Sequence, residues 1–208
     1  MRLGVLGGTF DPPHVGHLIL AEEARTRLRL EKVLFVPASD PWRKVGQEVT
    51  PIEHRLAMVR LMLGGDPYFE VSTLEVERPG PSYTVDTLDA LHEQYGPELE
   101  LYFIVGEDAL RDLPNWKDPA RIVSLACLAV APRPHRGGVG EIDLNAAVPR
   151  LSKCTVPLPM PAIDVSSTAL RERARAGLSL RYLVPLAVEE YIRRHGLYGG
   201  NEEPGHRA

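Results

Sequence analysis

Short runs of consecutive apolar residues, each followed by a longer segment of helical periodicity, recur along most of this chain. The runs RLGVLG (2–7), KVLFVPA (32–38), LYFIVG (101–106) and CLAVAP (127–132) are apolar nearly throughout instead of alternating with polar residues. A strand of that kind is covered on both faces, as in the interior of a parallel sheet. Between them, Val15, Leu18, Ile19, Ala24 and Leu28 recur at helical spacing over 15–30, and Val85, Leu88 and Leu91 do so over 83–94. A strand, a helix and a second strand in that order make a right-handed parallel crossover.

The punctuation extends the pattern. Thr50, Pro51 and Glu53 read as a capping box with proline at the first helical position, opening a helix that ends near Gly64 and Gly65. A strand is expected at 69–76, a helical segment at 117–125, and a shorter strand weakened by its prolines at 154–159. From Ser166 the pattern is helical only, with segments closed by Gly177 and Gly196. The expected fold is α/β, a Rossmann-like doubly wound parallel sheet with a C-terminal helical part at 166–198. No repeat or linker divides the chain, so 1–198 reads as one domain, and 199–208 has nothing to bury and reads as a frayed tail.

At 208 residues such a chain buries enough surface to need no disulfide or metal staple. Cys127 and Cys154 lie in apolar stretches and read as small buried side chains of a reduced, cytoplasmic protein. The net charge of −4 argues against a generic nucleic-acid surface but leaves room for a local anion site. No apolar run approaches the length that spans a membrane, and the N-terminus lacks a secretory pattern.

The stretch Gly7-Gly8-Thr9-Phe10-Asp11-Pro12-Pro13-His14-Val15-Gly16-His17 joins the first strand to the first helix. In an open parallel sheet that junction lies at the carboxyl edge, where ligands bind and the following helix directs its N-terminus at them. Gly7 and Gly8 allow backbone amides to approach an anion. His14 and His17 share one helix face, with Cβ atoms about 5–6 Å apart, and both can donate to phosphate oxygens. Gly16 costs roughly 1 kcal/mol of helix propensity relative to alanine, so something is expected to pack closely there. Two rival readings exist: the histidines could simply cap the helix, or could ligate zinc with Asp11. No further ligand cluster supports the second. The stretch is neither a P-loop, which needs a lysine after the glycines, nor a G-x-G-x-x-G fingerprint.

GGTFDPPHVGH resembles the signature of nucleotidylyltransferases with an H-x-G-H motif, and its longer form resembles that of the nicotinate mononucleotide adenylyltransferases. Three further stretches are similar to that family in the same order: ERPGPSYTVDTL (77–88), VGED with Asn115-Trp116, and VSSTALR (165–171), in which Val165 and Leu170 are mild aliphatic departures. The resemblance implies transfer of the adenylyl group of ATP to nicotinate mononucleotide, giving deamido-NAD and pyrophosphate, with magnesium carried on ATP. It implies that Gly8, Thr9, Phe10, Gly106, Asp108, Ser166, Ser167 and Thr168 bind ATP, and that His14, His17 and Arg171 bind it and stabilise the developing charge. It implies that Lys44, Ser82, Tyr83, Thr84, Trp116 and Arg133 serve the acceptor, with Trp116 stacked on the pyridine ring and Lys44 facing phosphate. Taken alone, Ser166 to Thr168 would read as an N-cap beside a solvated Arg171, and Trp116 as a packing lid. Acceptors such as nicotinamide mononucleotide or phosphopantetheine, a non-catalytic ATP-binding module, and assembly into a homo-oligomer stay open at this point.

Overall fold

The computed structural model describes residues 1–42, 46, 48–132, 148–161 and 163–199. Six parallel strands make one sheet: β1 (Arg2–Gly8), β2 (Lys32–Pro37), β3 (Phe69–Val71), β4 (Glu100–Gly106), β5 (Cys127–Ala131) and β6 (Thr155–Pro157), in the order β3-β2-β1-β4-β5-β6. The order reverses between β1 and β4, so the crevice beyond their carboxyl ends is where an open sheet of this kind takes its ligand. The connecting helices are α1 (Val15–Leu28), α2 (Ile52–Leu63), α3 (Leu74–Glu77), α4 (Thr84–Tyr95), α5 (Glu107–Asp112) and α6 (Pro119–Leu125), followed by α7 (Ser167–Arg175) and α8 (Leu186–Arg194).

The two faces of the sheet carry separate apolar layers. On one side Leu6, Phe35 and Ile104 pack with Ala21 and Ala24 of α1, Met58 and Val59 of α2, and Leu170, Val188 and Ile192 of the last two helices. On the other, Val5, Leu34 and Phe103 pack with Val85, Leu88 and Leu91 of α4 and with Ile122 and Val123 of α6. The C-terminal helices therefore share a core with α1 and α2 and form no lobe of their own.

Four expectations need correction. Pro51 is extended (ψ 142°) and stands at the N-cap of α2, where no side chain caps the helix, so the capping box does not form. The reason is that Thr50 is engaged elsewhere through both its backbone groups. The strand expected at 69–76 ends at Val71, and 74–77 turns into α3. Leu74, Glu75 and Val76 alternate as a strand would, but Glu75 is buried beneath α4 and not turned to solvent. The helix expected to reach residue 30 ends at Leu28, with Arg29 as a left-handed C-cap. Cys127 and Cys154 are half-buried free thiols, because Cys127 opens β5 at its amino end and Cys154 precedes the edge strand β6. Residues 200–208 of the expected tail lie outside the described residues, whereas residues up to Gly199 close a short 3-10 turn that packs inward.

Gly4, in the middle of β1, is fully enclosed. A Cβ there would stand 2.7 Å from Leu30 Cδ1, 3.1 Å from Val33 Cγ2 and 3.2 Å from Ile104 Cδ1. Overpacking of this kind costs about 1–3 kcal/mol. Gly4→Ala is expected to lower the thermal midpoint by several degrees while turnover well below that midpoint stays within twofold; an unchanged midpoint would contradict the packing described.

Candidate active site

The loop from Thr9 to His14 leaves β1 at the switch point and hands the chain to α1. Phe10 holds a left-handed conformation (φ 50°) that costs an L-residue about 1–2 kcal/mol. Its buried ring explains why that conformation is kept: it lies edge-on to His17 at 4.9 Å and against Phe35 at 5.9 Å. Gly8 gives the ring its room, since a Cβ on residue 8 would sit 3.3–3.4 Å from three ring atoms.

His14 is the N-cap of α1 and His17 its third helical residue. The rings stack at 3.7 Å, with an angle of 30° between them. The close packing expected at Gly16 is His14 itself, whose Nδ1 and Cε1 would lie 3.0 and 3.1 Å from an added Cβ. The His14 backbone N–H donates to His17 Nδ1 at 3.1 Å. That bond assigns the tautomer: neutral His17 carries its proton on Nε2, which makes Nε2 the ring donor. Capping therefore uses Nδ1 alone, and a bond to phosphate would fall to Nε2.

The start of α7 meets the same loop from the far end of the chain. The Ser167 hydroxyl donates to the Pro12 carbonyl at 2.8 Å, and Arg171 Nη1 donates to the Asp11 carbonyl at 2.7 Å. Ser166 is a true N-cap whose Oγ accepts from the Ala169 N–H at 3.2 Å. Thr168 Oγ1 accepts from Arg171 Nη2 at 3.4 Å. The Ser167 hydroxyl is therefore spent inside the protein. What α7 offers an anion is its first-turn amides, the Ser166 proton and the remaining donors of the Arg171 fork. The start of α7 is thus bonded to the loop that leads into the N-terminus of α1, and helix N-termini are the ends that favour an anion.

Beneath this loop lies Arg55 of α2, only 1% exposed. Its guanidinium donates to the carbonyls of Thr50 (2.7 Å), Thr9 (2.9 Å), Ala38 (2.7 Å) and Ser39 (3.2 Å). Burial pulls its pKa below the usual value, and the Asp11 carboxylate opposes that shift. Asp11 is as deeply buried. It accepts from the Tyr198 hydroxyl at 2.6 Å through Oδ1 and from the Thr50 N–H at 3.3 Å through Oδ2.

The described residues that the resemblance assigns to the acceptor gather near the ends of β2 and β4 and the start of α4. Ser82 Oγ accepts from the N–H groups of Ser39 (3.0 Å) and Asp40 (3.4 Å), and the Ser82 N–H donates to the Asp40 carbonyl at 2.9 Å. Ser82 therefore braces the β2–α2 loop, and its amide is already used. Behind it the buried Glu75 accepts from Thr87 Oγ1 at 2.6 Å, and burial pushes its carboxyl above the ordinary range. Tyr83 stands at the N-cap of α4 without a side-chain cap, so Thr84 opens the helix and its first-turn amides have no partner within the helix. Tyr83 packs 6.2 Å from Trp42 and beneath Lys117 Nζ at 4.6 Å, while Lys117 also pairs with Asp86 at 2.9 Å. Trp116 is half-buried, edge-on to Phe103 at 6.0 Å, with its indole N–H donated to Asp112 at 3.1 Å. Gly106 ends β4 and caps α5, which places exposed Asp108 at the sheet's carboxyl edge. Lys44 and Arg133 lie outside the described residues. Sequence reasoning did not single out Arg55, Glu75 or Tyr198, and weighed Asp11 only as a metal ligand.

Residues 5–173 match the family described as cytidylyltransferase-like. With a parallel sheet of order 3-2-1-4-5-6 and an H-x-G-H turn between two helix N-termini, the chain belongs to that family and is a nucleotidyltransferase. It is 50% identical to a Thermomicrobium roseum protein named "Probable nicotinate-nucleotide adenylyltransferase", over 95% of this chain and 91% of that one. A Roseiflexus protein of the same name is 49% identical, over 94% and 97%. Within the nucleotidyltransferases, this chain belongs to the nicotinate-nucleotide adenylyltransferase family. The fold is shared with Plasmodium falciparum nicotinic acid mononucleotide adenylyltransferase complexed with NaAD, at TM-score 0.76 and 18% identity, covering 97% of this chain and 99% of the other.

Arg55 sets a first test of the site. Arg55→Met keeps the volume and removes every donor, leaving buried carbonyls unpaired at about 1–3 kcal/mol each. A loss of about 3 kcal/mol or more in denaturant unfolding is expected, with Arg55→Lys in between; a loss below 1 kcal/mol for methionine would show that the carbonyls find other partners.

Proposed function

We propose that this chain transfers the adenylyl group of ATP to nicotinate mononucleotide, releasing pyrophosphate and forming deamido-NAD, as a cytoplasmic step of NAD biosynthesis. The observation that carries the reading is that Ser167 and Arg171 of α7 bind the carbonyls of Pro12 and Asp11, in the switch-point loop that ends at the stacked His14 and His17. The names of the relatives support the choice of acceptor.

The chemistry asks little of the side chains. The acceptor's phosphate has a second pKa of about 6 and is largely dianionic at neutral pH, so no general base or covalent intermediate is required. Its oxygen attacks the α-phosphorus of ATP, the bond to the β-phosphate oxygen breaks, and the electron pair leaves with pyrophosphate. The site aligns the two nucleotides and supplies donors where negative charge grows. His17 Nε2, at the positive end of the α1 dipole, serves the α-phosphate, and the fork of Arg171 with the start of α7 serves the phosphates beyond it. ATP enters as its magnesium complex, which carries the metal in with the substrate. Among the described residues no group of three or more His, Cys, Asp or Glu side chains is placed to hold a metal ion. Also among the described residues, no helix is long and apolar enough to cross a membrane.

Removing one preorganised donor to developing charge typically costs about 10²–10³ in turnover. His17→Ala is expected to lower kcat by about that much and to change the KM for ATP far less, as read by steady-state pyrophosphate release. Turnover near the wild-type level would remove His17 from the role assigned here.

Acceptor choice is tested by the same assay with each mononucleotide. The Ser82 amide is occupied, so the donors left for the pyridine's acid group are the first-turn amides of α4, beside the stacking surfaces of Tyr83 and Trp116. A carboxylate accepts at both oxygens, whereas a carboxamide turns an NH₂ toward one of those donors. An unpaired buried donor costs about 1–3 kcal/mol. A preference in kcat/KM of about tenfold to hundredfold for nicotinate over nicotinamide mononucleotide is expected. Equal efficiency would replace this reading with an enzyme indifferent to the acid, and ATP binding without pyrophosphate release would replace it with a non-catalytic nucleotide binder.

A further inference from the structure

The C-terminal 3-10 turn, Leu197–Gly199, brings Tyr198 to the catalytic loop from 187 residues away in sequence. Its phenol is a built-in part of that loop. The hydroxyl donates to Asp11 Oδ1 at 2.6 Å, and Tyr198 itself sits in the left-handed region (φ 61°), which tyrosine adopts only when its surroundings require it. Burial and the neighbouring Asp11 carboxylate push the phenol's pKa up, so the hydroxyl remains a donor throughout the physiological range. Asp11 in turn presents its backbone carbonyl to Arg171 Nη1 at 2.7 Å, and its other carboxylate oxygen to the Thr50 N–H. A chain of direct contacts therefore runs from Tyr198 through Asp11 to Arg171, and along the backbone from Asp11 to His14.

We propose that Tyr198 is a positioning residue for adenylyl transfer: by orienting Asp11, it fixes the Arg171 guanidinium and the His14–His17 turn in the geometry that the transition state requires. The inference rests on the adenylyltransferase reading of this site. It assigns the turn Leu197–Gly199 to the active site, with Tyr198 acting through Asp11. A group acting only through the placement of others is expected to alter kcat and to leave ground-state binding nearly intact, because small misplacements weaken transition-state contacts most. Removing such a positioning bond is also expected to be non-additive with removal of the residue it positions.

Tyr198→Phe keeps the ring and deletes only the hydroxyl. In steady-state pyrophosphate release it is expected to lower kcat by about tenfold and to leave the KM values for ATP and nicotinate mononucleotide within about twofold. The double variant with Arg171→Ala should be no more than about twofold worse than Arg171→Ala alone. Hydrogen exchange of the ligand-free protein, which needs no turnover, should show faster exchange at the amides of residues 10–17 in Tyr198→Phe and an unchanged rate in the β5 core. A wild-type protein that does not release pyrophosphate would remove the adenylyltransferase reading, and the exchange measurement would then decide the Tyr198 link alone. Unchanged kcat in an active background, losses that multiply with Arg171→Ala, or unchanged exchange at residues 10–17 would each overturn the proposal.

Discussion

Four backbone carbonyls, from Thr9, Ala38, Ser39 and Thr50, converge on the guanidinium of Arg55 in a place that water does not reach. Taking a guanidinium out of water costs several kcal/mol, and the position holds only because good hydrogen-bond partners surround it. The fork is rigid and planar, so the four oxygens are held at fixed directions from one another. Two loops that belong to different strand-to-helix crossovers are thereby locked together: the signature loop after β1 and the long loop after β2. Everything the site needs is hung from that junction. Phe10 is kept in its costly conformation next to Thr9, and Ser39 and Asp40 reach Ser82 before α4.

The second constraint comes from the end of the chain. The Val15 N–H, the first amide of α1, donates to the Leu183 carbonyl at 3.0 Å, Ser167 and Arg171 bind the carbonyls of Pro12 and Asp11, and Tyr198 binds the Asp11 carboxylate. The signature loop is thus clasped from below by Arg55 and from the side by the C-terminal segment. This explains why helices remote in sequence from the sheet share the apolar layer of α1 and α2. Packing of Leu170, Val188 and Ile192 fixes the segment so that its polar groups arrive at the loop in register. A loop held from two directions presents its donors without reorganising at the moment of reaction, and preorganised donors act most strongly on developing charge.

How much of this could be read from the residues follows from which signals are local. The parallel sheet was legible because short apolar runs such as VLFVP recur between helical segments, as strands covered on both faces do. The H-x-G-H turn was legible because its glycines and histidines are tied to a strand-to-helix junction whose place in the fold is itself predictable. Gly16 foretold a close neighbour, and only the structure identified it as the ring of His14. Arg55 was illegible for a physical reason: on a helix, an arginine reads as a solvated face, and nothing local states that four carbonyls lie above it. Glu75 misled for the same reason, since a carboxylate between Leu74 and Val76 looks like the exposed position of a strand, whereas Thr87 on the next helix pays for its burial. Tyr198 sat at the edge of what looked like a tail, and its partner is visible only once the chain has closed on itself.

The proposed chemistry then turns on the kind of positive charge that the site would offer to phosphates. The chain as a whole is negative, so attraction of an anionic nucleotide is local and depends on aimed dipoles. Among the described residues, the donors proposed for the phosphates are two helix N-termini, His17 through Nε2 and the fork of Arg171, most of them partial charges. A cluster of full cations would hold ATP, pyrophosphate and the dinucleotide product about equally well, and binding that is equal in ground and transition states does not raise turnover. Aimed neutral donors discriminate by geometry. They pair best where an oxygen gains charge and shifts position as the α-phosphorus changes partners, and less well before and after. The reason for clasping the loop so firmly lies there: partial charges act only at the distance and angle for which they were set, so the stiffness supplied by Arg55 and Asp11 is what makes weak donors sufficient.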